Sequence, residues 1–146
     1  MSREIIAPYP PQEGKEPLRQ YGRAFVFPGQ GSQEVGMGLD IFQKSPSGRR
    51  VFQETDDVLG FNLSQIIFNG PDEALRDTIN AQPAILTVSI ATYEAWKEQM
   101  GDKNVNSMFN AGHSLGEYSA LVAAGVLTFS DAVKLVRERG KLMKQA

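Results

Sequence analysis

The chain has 146 residues, the length of one ordinary domain, and its 41% hydrophobic and 22% charged composition excludes wholesale disorder. Its 15 Lys and Arg against 17 Asp and Glu leave a formal charge of −2, so no basic field marks a nucleic-acid binder. With no Cys and a single His, disulfides, thiolate nucleophiles and Cys- or His-rich metal sites are set aside, and catalysis must run on oxygen chemistry.

In chain order, four of the eight prolines fall within the first 17 residues among interspersed charges. Proline fixes φ and removes a backbone donor, so residues 1–22 are predicted to be an extended, mobile tail ahead of a domain over 23–146. The N-terminus carries no apolar run of a secretory leader. The longest apolar stretch, Ala120 to Leu127, falls far short of the roughly 20 residues of a membrane span. The expectation is a cytoplasmic protein without a membrane or nucleic-acid partner.

Arg23 to Phe27 is a short apolar run stopped by Pro28-Gly29, as for a buried strand entering a tight turn. Gly29, Gly31, Gly36 and Gly38 crowd the next ten residues, which suggests a loop whose backbone approaches something closely, before Leu39, Ile41 and Phe42 resume packing. Helical patches are read over Ser47 to Leu59 and Leu63 to Phe68. Pro71-Asp72-Glu73 has the composition of a helix first turn, leading into a short helix to about Ile79.

Pro83 to Met100 is the longest helix candidate, apolar around most of its circumference and so largely buried, with Gly101 as its stop. A second strand over Asn106 to Ala111 runs into Gly112-His113-Ser114, and helices follow at about Gly116 to Ala124 and Ser130 to Gln145. This order is α/β, yet two strands are few for a parallel sheet, which normally has several members and covered faces.

The sharpest chemical signal is Gly112-His113-Ser114-Leu115-Gly116, a G-x-S-x-G between a strand and a helix. Glycines flanking the serine permit a strained turn that lifts its hydroxyl above the sheet, and the unpaired Leu115 N–H at the helix start can bind an oxyanion. The plainer alternative is a Gly- and Ser-rich turn. A serine nucleophile needs a base, and the only His, His113, is its immediate neighbour, whose side chain should point away from it.

Pro28-Gly29-Gln30-Gly31-Ser32-Gln33 matches neither a phosphate loop nor a dinucleotide fingerprint, because no Gly-Lys follows and Glu34 stands where a third glycine would be needed. It is either a glycine-rich turn or a source of a second oxyanion donor, since parallel strands deliver their C-terminal loops to one edge. In the last helix Ala132, Leu135, Val136, Leu142 and Met143 form an apolar stripe with Arg139 in its middle. Such an arginine must snorkel, pair with an acid such as Glu117, or await an anionic ligand, whose carboxylate its fork would suit.

At these residues the chain closely resembles the malonyl-CoA:acyl carrier protein transacylases and the related acyltransferase domains of fatty-acid and polyketide synthases. The matching segments are FVFPGQGSQ (25–33), NAQPAIL (80–86), AGHSLGEYSAL (111–121) and VRERGKLM (136–143). The resemblance implies an α/β-hydrolase-like core in which Ser114 takes malonyl from malonyl-CoA and passes it to the phosphopantetheine thiol of acyl carrier protein, with no permanently bound cofactor or metal. By the same carry-over Gln30 and Leu115 supply oxyanion N–H groups, Arg139 grips the malonyl carboxylate and Gln82 lines the site.

One departure qualifies this. The family's catalytic His lies well downstream of the conserved Arg, so the chain is expected to be the N-terminal part of a transacylase. It would lack that base, later strands and a ferredoxin-like subdomain, and would be weakly active or inactive unless a second polypeptide supplies them. Two other readings are a serine hydrolase on the same scaffold and a non-catalytic binding module.

Overall fold

β1 (Arg23–Phe27) forms where the apolar run predicts it, and it pairs in parallel with β2 (Ser107–Gly112), with Phe25 opposite Asn110 and Phe27 opposite Gly112. The computed structural model describes residues 23–101 and 107–146. The expected tail over 1–22 and the predicted start of the second strand at Asn106 lie outside the described residues. Successive strand side chains alternate in direction. Phe25 and Phe27 therefore turn together onto Tyr93, at ring-centroid distances of 5.2 and 6.3 Å, while Phe25 also meets Trp96 at 4.9 Å. Val26 points the other way and is 77% exposed.

Seven helices accompany this pair among the described residues. α1 (Leu39–Lys44), a short turn where the sequence signals only resumed packing, is entered through Gly38 at φ 72°, and a Cβ there would lie 2.9 Å from the Phe52 ring. α2 (Pro46–Leu59) starts on the Ser45 cap, whose hydroxyl accepts the Gly48 N–H, and ends at Gly60 in the left-handed conformation. α3 (Leu63–Asn69) and α4 (Asp72–Arg76) follow. The predicted short helix to Ile79 stops at Arg76, because Asp77 leaves helical geometry to cap the next helix.

That next helix, α5 (Thr78–Met100), starts five residues before the predicted Pro83. Proline inside a helix leaves the carbonyl four residues earlier without its donor, which is why Pro83 reads as a start. Here that carbonyl belongs to Ile79, and the Arg137 Nη1 group donates to it across 3.0 Å. The orphaned acceptor is satisfied from another helix, so α5 runs on through the proline. α6 (Gly116–Ala123) and α7 (Phe129–Gln145, capped by Thr128) complete the order.

The core lies between α2, α5 and α7. Phe52, Leu63, Ile67, Leu75, Leu86, Val133 and Val136 are wholly buried, and the rings of Phe42, Phe52 and Phe68 meet at 5.1–5.7 Å. The stripe expected on α7 is corrected in detail. Ala132 and Val136 are buried, but Val133 and Gly140 are their partners, while Leu135, Leu142 and Met143 are 49%, 65% and 49% exposed. The helix is rotated toward the α2–α5 layer, because Gly140 lets its backbone approach α5 without a side chain between.

Candidate active site at Ser114

Because β1 and β2 are parallel and paired to their ends, the loops after Phe27 and Gly112 leave the sheet side by side. His113 N–H donates to the Phe27 carbonyl at 3.2 Å, which extends the ladder to the residue before the serine. Ser114 then turns at φ 53°, the only non-glycine residue with positive φ among the described residues. Positive φ crowds an L side chain, so the neighbours must hold it there.

The flanking glycines show how. A Cβ on Gly112 would overlap the backbone of Gly116 and Glu117, and one on Gly116 would overlap the carbonyl of Phe27. Strand, turn and helix are thus in backbone contact at two points, and any larger residue would force the elbow open. Gly29, in the first loop, is packed against His113, where a Cβ would lie 2.6 Å from its carbonyl oxygen and 2.8 Å from Nδ1. His113 therefore sits toward the Gly29 loop, as its place beside the turn predicts. Among the described residues no carboxylate or imidazole hydrogen-bonds Ser114 Oγ.

Its partner is Arg139. The Nη2 group of Arg139 donates to Ser114 Oγ at 2.9 Å, while Nη1 donates to Gln82 Oε1 at 2.7 Å. Gln82 is wholly buried, and its Nε2 donates to Thr78 Oγ1 at 3.1 Å and to Met143 Sδ at 3.3 Å. Thr78 Oγ1 in turn donates to Gln30 Oε1 at 3.1 Å. Four predicted residues, Gln30, Gln82, Ser114 and Arg139, are thus joined in one hydrogen-bonded chain.

The pairing of Arg139 with Glu117, one of the open alternatives, does not occur. Among the described residues no acid is within ion-pair reach of Arg139, and its guanidinium stands 5.9 Å over the Tyr118 ring. The fork is held only by neutral groups.

Leu115, wholly buried, has no described acceptor for its backbone N–H, since the first bonds of the turn run from Gly116 to His113 and from Glu117 to Ser114. Gln30 N–H is likewise without a described acceptor. The loop around it is braced by Ser32 Oγ donating to the Gly29 carbonyl and by Gln33 Oε1 accepting the Gly31 N–H. The Ser114 hydroxyl, the Arg139 fork and the two loops that carry the Leu115 and Gln30 N–H groups thus lie at one end of the sheet, a set of groups that acyl transfer can use. No group of three or more His, Cys, Asp or Glu able to hold a metal occurs among the described residues.

Residues 24–146 match the acyl transferase domain family. The chain belongs to that family. It is 54% identical over 123 residues to the malonyl CoA-acyl carrier protein transacylase of Bacillus subtilis strain 168, covering 84% of this chain. The acyl-carrier-protein-S-malonyltransferase of Bartonella henselae superposes with a TM-score of 0.80 at 47% identity, over 85% of this chain and 40% of that one. A further solved structure, a type II polyketide acyl carrier protein in complex with its malonyl-transacylase, gives 0.77 at 48% identity, over 84% and 38%.

The resemblance read from the four motifs is borne out. This acyl transferase domain spans 38% of the length of the Bacillus relative. Sequence reasoning missed two of its site residues. Thr78 carries no motif of its own, and Gly140 looks like any glycine in a helix. A Cβ at Gly140 would lie 2.7 Å from the Thr78 carbonyl, so the close α5–α7 crossing that sets Arg139 against Gln82 depends on its being glycine.

Proposed function

We propose that this acyl transferase domain takes a malonyl group from malonyl-CoA as a Ser114 ester and passes it to the phosphopantetheine thiol of acyl carrier protein, in the cytoplasm, for fatty-acid synthesis. The single observation that carries the reading is the Arg139 guanidinium, unpaired by any described acid and held by Gln82 on the nucleophile itself. A buried or half-buried cation without a counter-ion is costly, and a free carboxylate on the acyl group would supply one. Ser114 Oγ attacks the thioester carbonyl, its proton leaving with the coenzyme A thiol. The oxyanion is received by the Leu115 and Gln30 N–H groups on an α/β-hydrolase-like elbow. In the second half-reaction the carrier thiol displaces Ser114 by the reverse steps.

No resident cofactor or metal enters this scheme. The arginine fork favours it over hydrolysis, since water needs no second anchor on the acyl group. Turnover by the 146-residue chain is expected to be slow, because a guanidinium, not a base, touches Ser114 Oγ, and general-base help is worth about 10² to 10⁴-fold. The exposed Val26, Met108 and Phe109 are where further protein supplying that base would pack.

The test is transfer of labelled malonyl from malonyl-CoA to holo acyl carrier protein. Label on the carrier with the unmodified chain and none with Ser114→Ala supports the scheme. Equal labelling with both removes it.

A further inference from the structure

Among the described residues, Thr78 is the one side chain that hydrogen-bonds both the first loop and the glutamine that anchors Arg139. It is the first residue of α5, its hydroxyl lies between Gln82 Nε2 and Gln30 Oε1, and its carbonyl faces Gly140, next to Arg139. An arginine has only donors, so Gln82 must present Oε1 to it, and its amide NH2 must then find acceptors on the other side. The two available are Thr78 Oγ1 and the thioether of Met143, which is a weak acceptor. Gln82 is wholly buried, so no solvent substitutes for a lost partner.

The hydroxyl has one proton and spends it on Gln30 Oε1, leaving its lone pairs for Gln82. With Arg139 fixing Gln82 Oε1 toward it, this hydroxyl links the remaining Gln82 amide NH2 to the Gln30 loop. We propose that Thr78 is a positioning residue for the acyl site: its hydroxyl accepts the Gln82 amide NH2 and so holds Gln82 in the orientation that meets Arg139, and it ties the Gln30 loop to the same helix end. This rests on the malonyl reading above for what the aimed fork binds. The orientation of Gln82 itself is independent of that reading.

Nuclear magnetic resonance of the ¹⁵N-labelled 146-residue chain tests it, with malonate as the anion probe. In the unmodified chain the Gln82 side-chain NH2 should show a cross-relaxation contact to Thr78. Thr78→Val keeps the shape and removes the hydroxyl. It should shift or broaden the Gln82 amide pair and weaken malonate binding about tenfold, the scale of one lost hydrogen bond to a buried donor. Thr78→Ser should restore both. An unchanged Gln82 pair and unchanged malonate affinity in Thr78→Val would overturn the proposal.

If Thr78→Val does not fold, the contact in the unmodified chain decides, and its absence overturns the assignment. If malonate does not bind the unmodified chain, the malonyl reading fails, while the Gln82 amide still settles the role of Thr78.

Discussion

Arg139 donates to Ser114 Oγ across 2.9 Å, so the charge proposed to recognise the acyl group and the atom proposed to attack it are direct partners. Arg139→Ala is expected to reduce the rate of Ser114 acylation by malonyl-CoA about 10²-fold, the scale for truncating a charged, hydrogen-bonded anchor, and to leave acetyl-CoA nearly unaffected. Arg139→Lys should recover little, because one ammonium cannot hold Gln82 and grip a carboxylate with a planar fork. Comparing single-turnover acylation by the two thioesters checks this, and an unchanged malonyl-to-acetyl ratio would remove Arg139 from the role.

The backbone of the elbow leaves no room at Gly112 or Gly116. Gly112→Ala should cost about 3 kcal/mol or more, read from chemical denaturation, because the clash is with backbone and not with a side chain that can swing away. Gly140→Ala should cost less and act at a distance, lifting α7 from Thr78 and lowering malonate affinity.

Ser114 itself is strained at φ 53°. Ser114→Gly should be more stable than Ser114→Ala by about 1 kcal/mol, since glycine alone accepts the left-handed region freely. Equal melting temperatures for the two variants would mean that the turn relaxes once the hydroxyl is gone.

Pro83 and Arg137 are coupled through the Ile79 carbonyl. Arg137→Met leaves that acceptor without its donor and should cost about 1–3 kcal/mol. With Pro83→Ala the helix supplies its own N–H, so the cost of Arg137→Met should fall in the double variant. A double-mutant cycle measures the difference, and strict additivity would refute the coupling.

Much of this was legible in the sequence. Period and punctuation placed β1, β2, α2, α3, α6 and α7 within a few residues, since Gly and Pro act locally, while the Ser45 and Thr128 caps start α2 and α7 one residue before the predicted Ser47 and Ser130. The start of α5 was not legible, because the donor that lets the helix run through Pro83 comes from Arg137, 54 positions away in the chain. The G-x-S-x-G motif and the arginine in the last helix pointed to Ser114 and Arg139, but their mutual contact depends on how α7 rotates. That rotation is set by Val133 and Gly140 against α5, a tertiary choice that the α7 periodicity alone misjudged in favour of Leu135, Leu142 and Met143.

The cap of α5 carries a pH signature. Asp77 is held below the usual carboxylate range, first by its hydrogen bond from Lys144 and then by the Ile79 N–H, against a smaller opposing effect of burial. A lowered native pKa means the stabilisation is complete above the unfolded value of about 3.9 and is lost as pH falls through the lower native value. The stability advantage of the unmodified chain over Asp77→Asn should therefore be constant at neutral pH and shrink below about pH 4. Denaturation midpoints across that range check the sign.

The most direct measurement is the mass of the chain after prolonged incubation with malonyl-CoA, followed by peptide mapping. One malonyl group per chain, on the peptide carrying Ser114, lost in Ser114→Ala and reduced in Arg139→Ala, is the predicted result. A malonyl group on another residue, or labelling that persists in Ser114→Ala, would contradict the account.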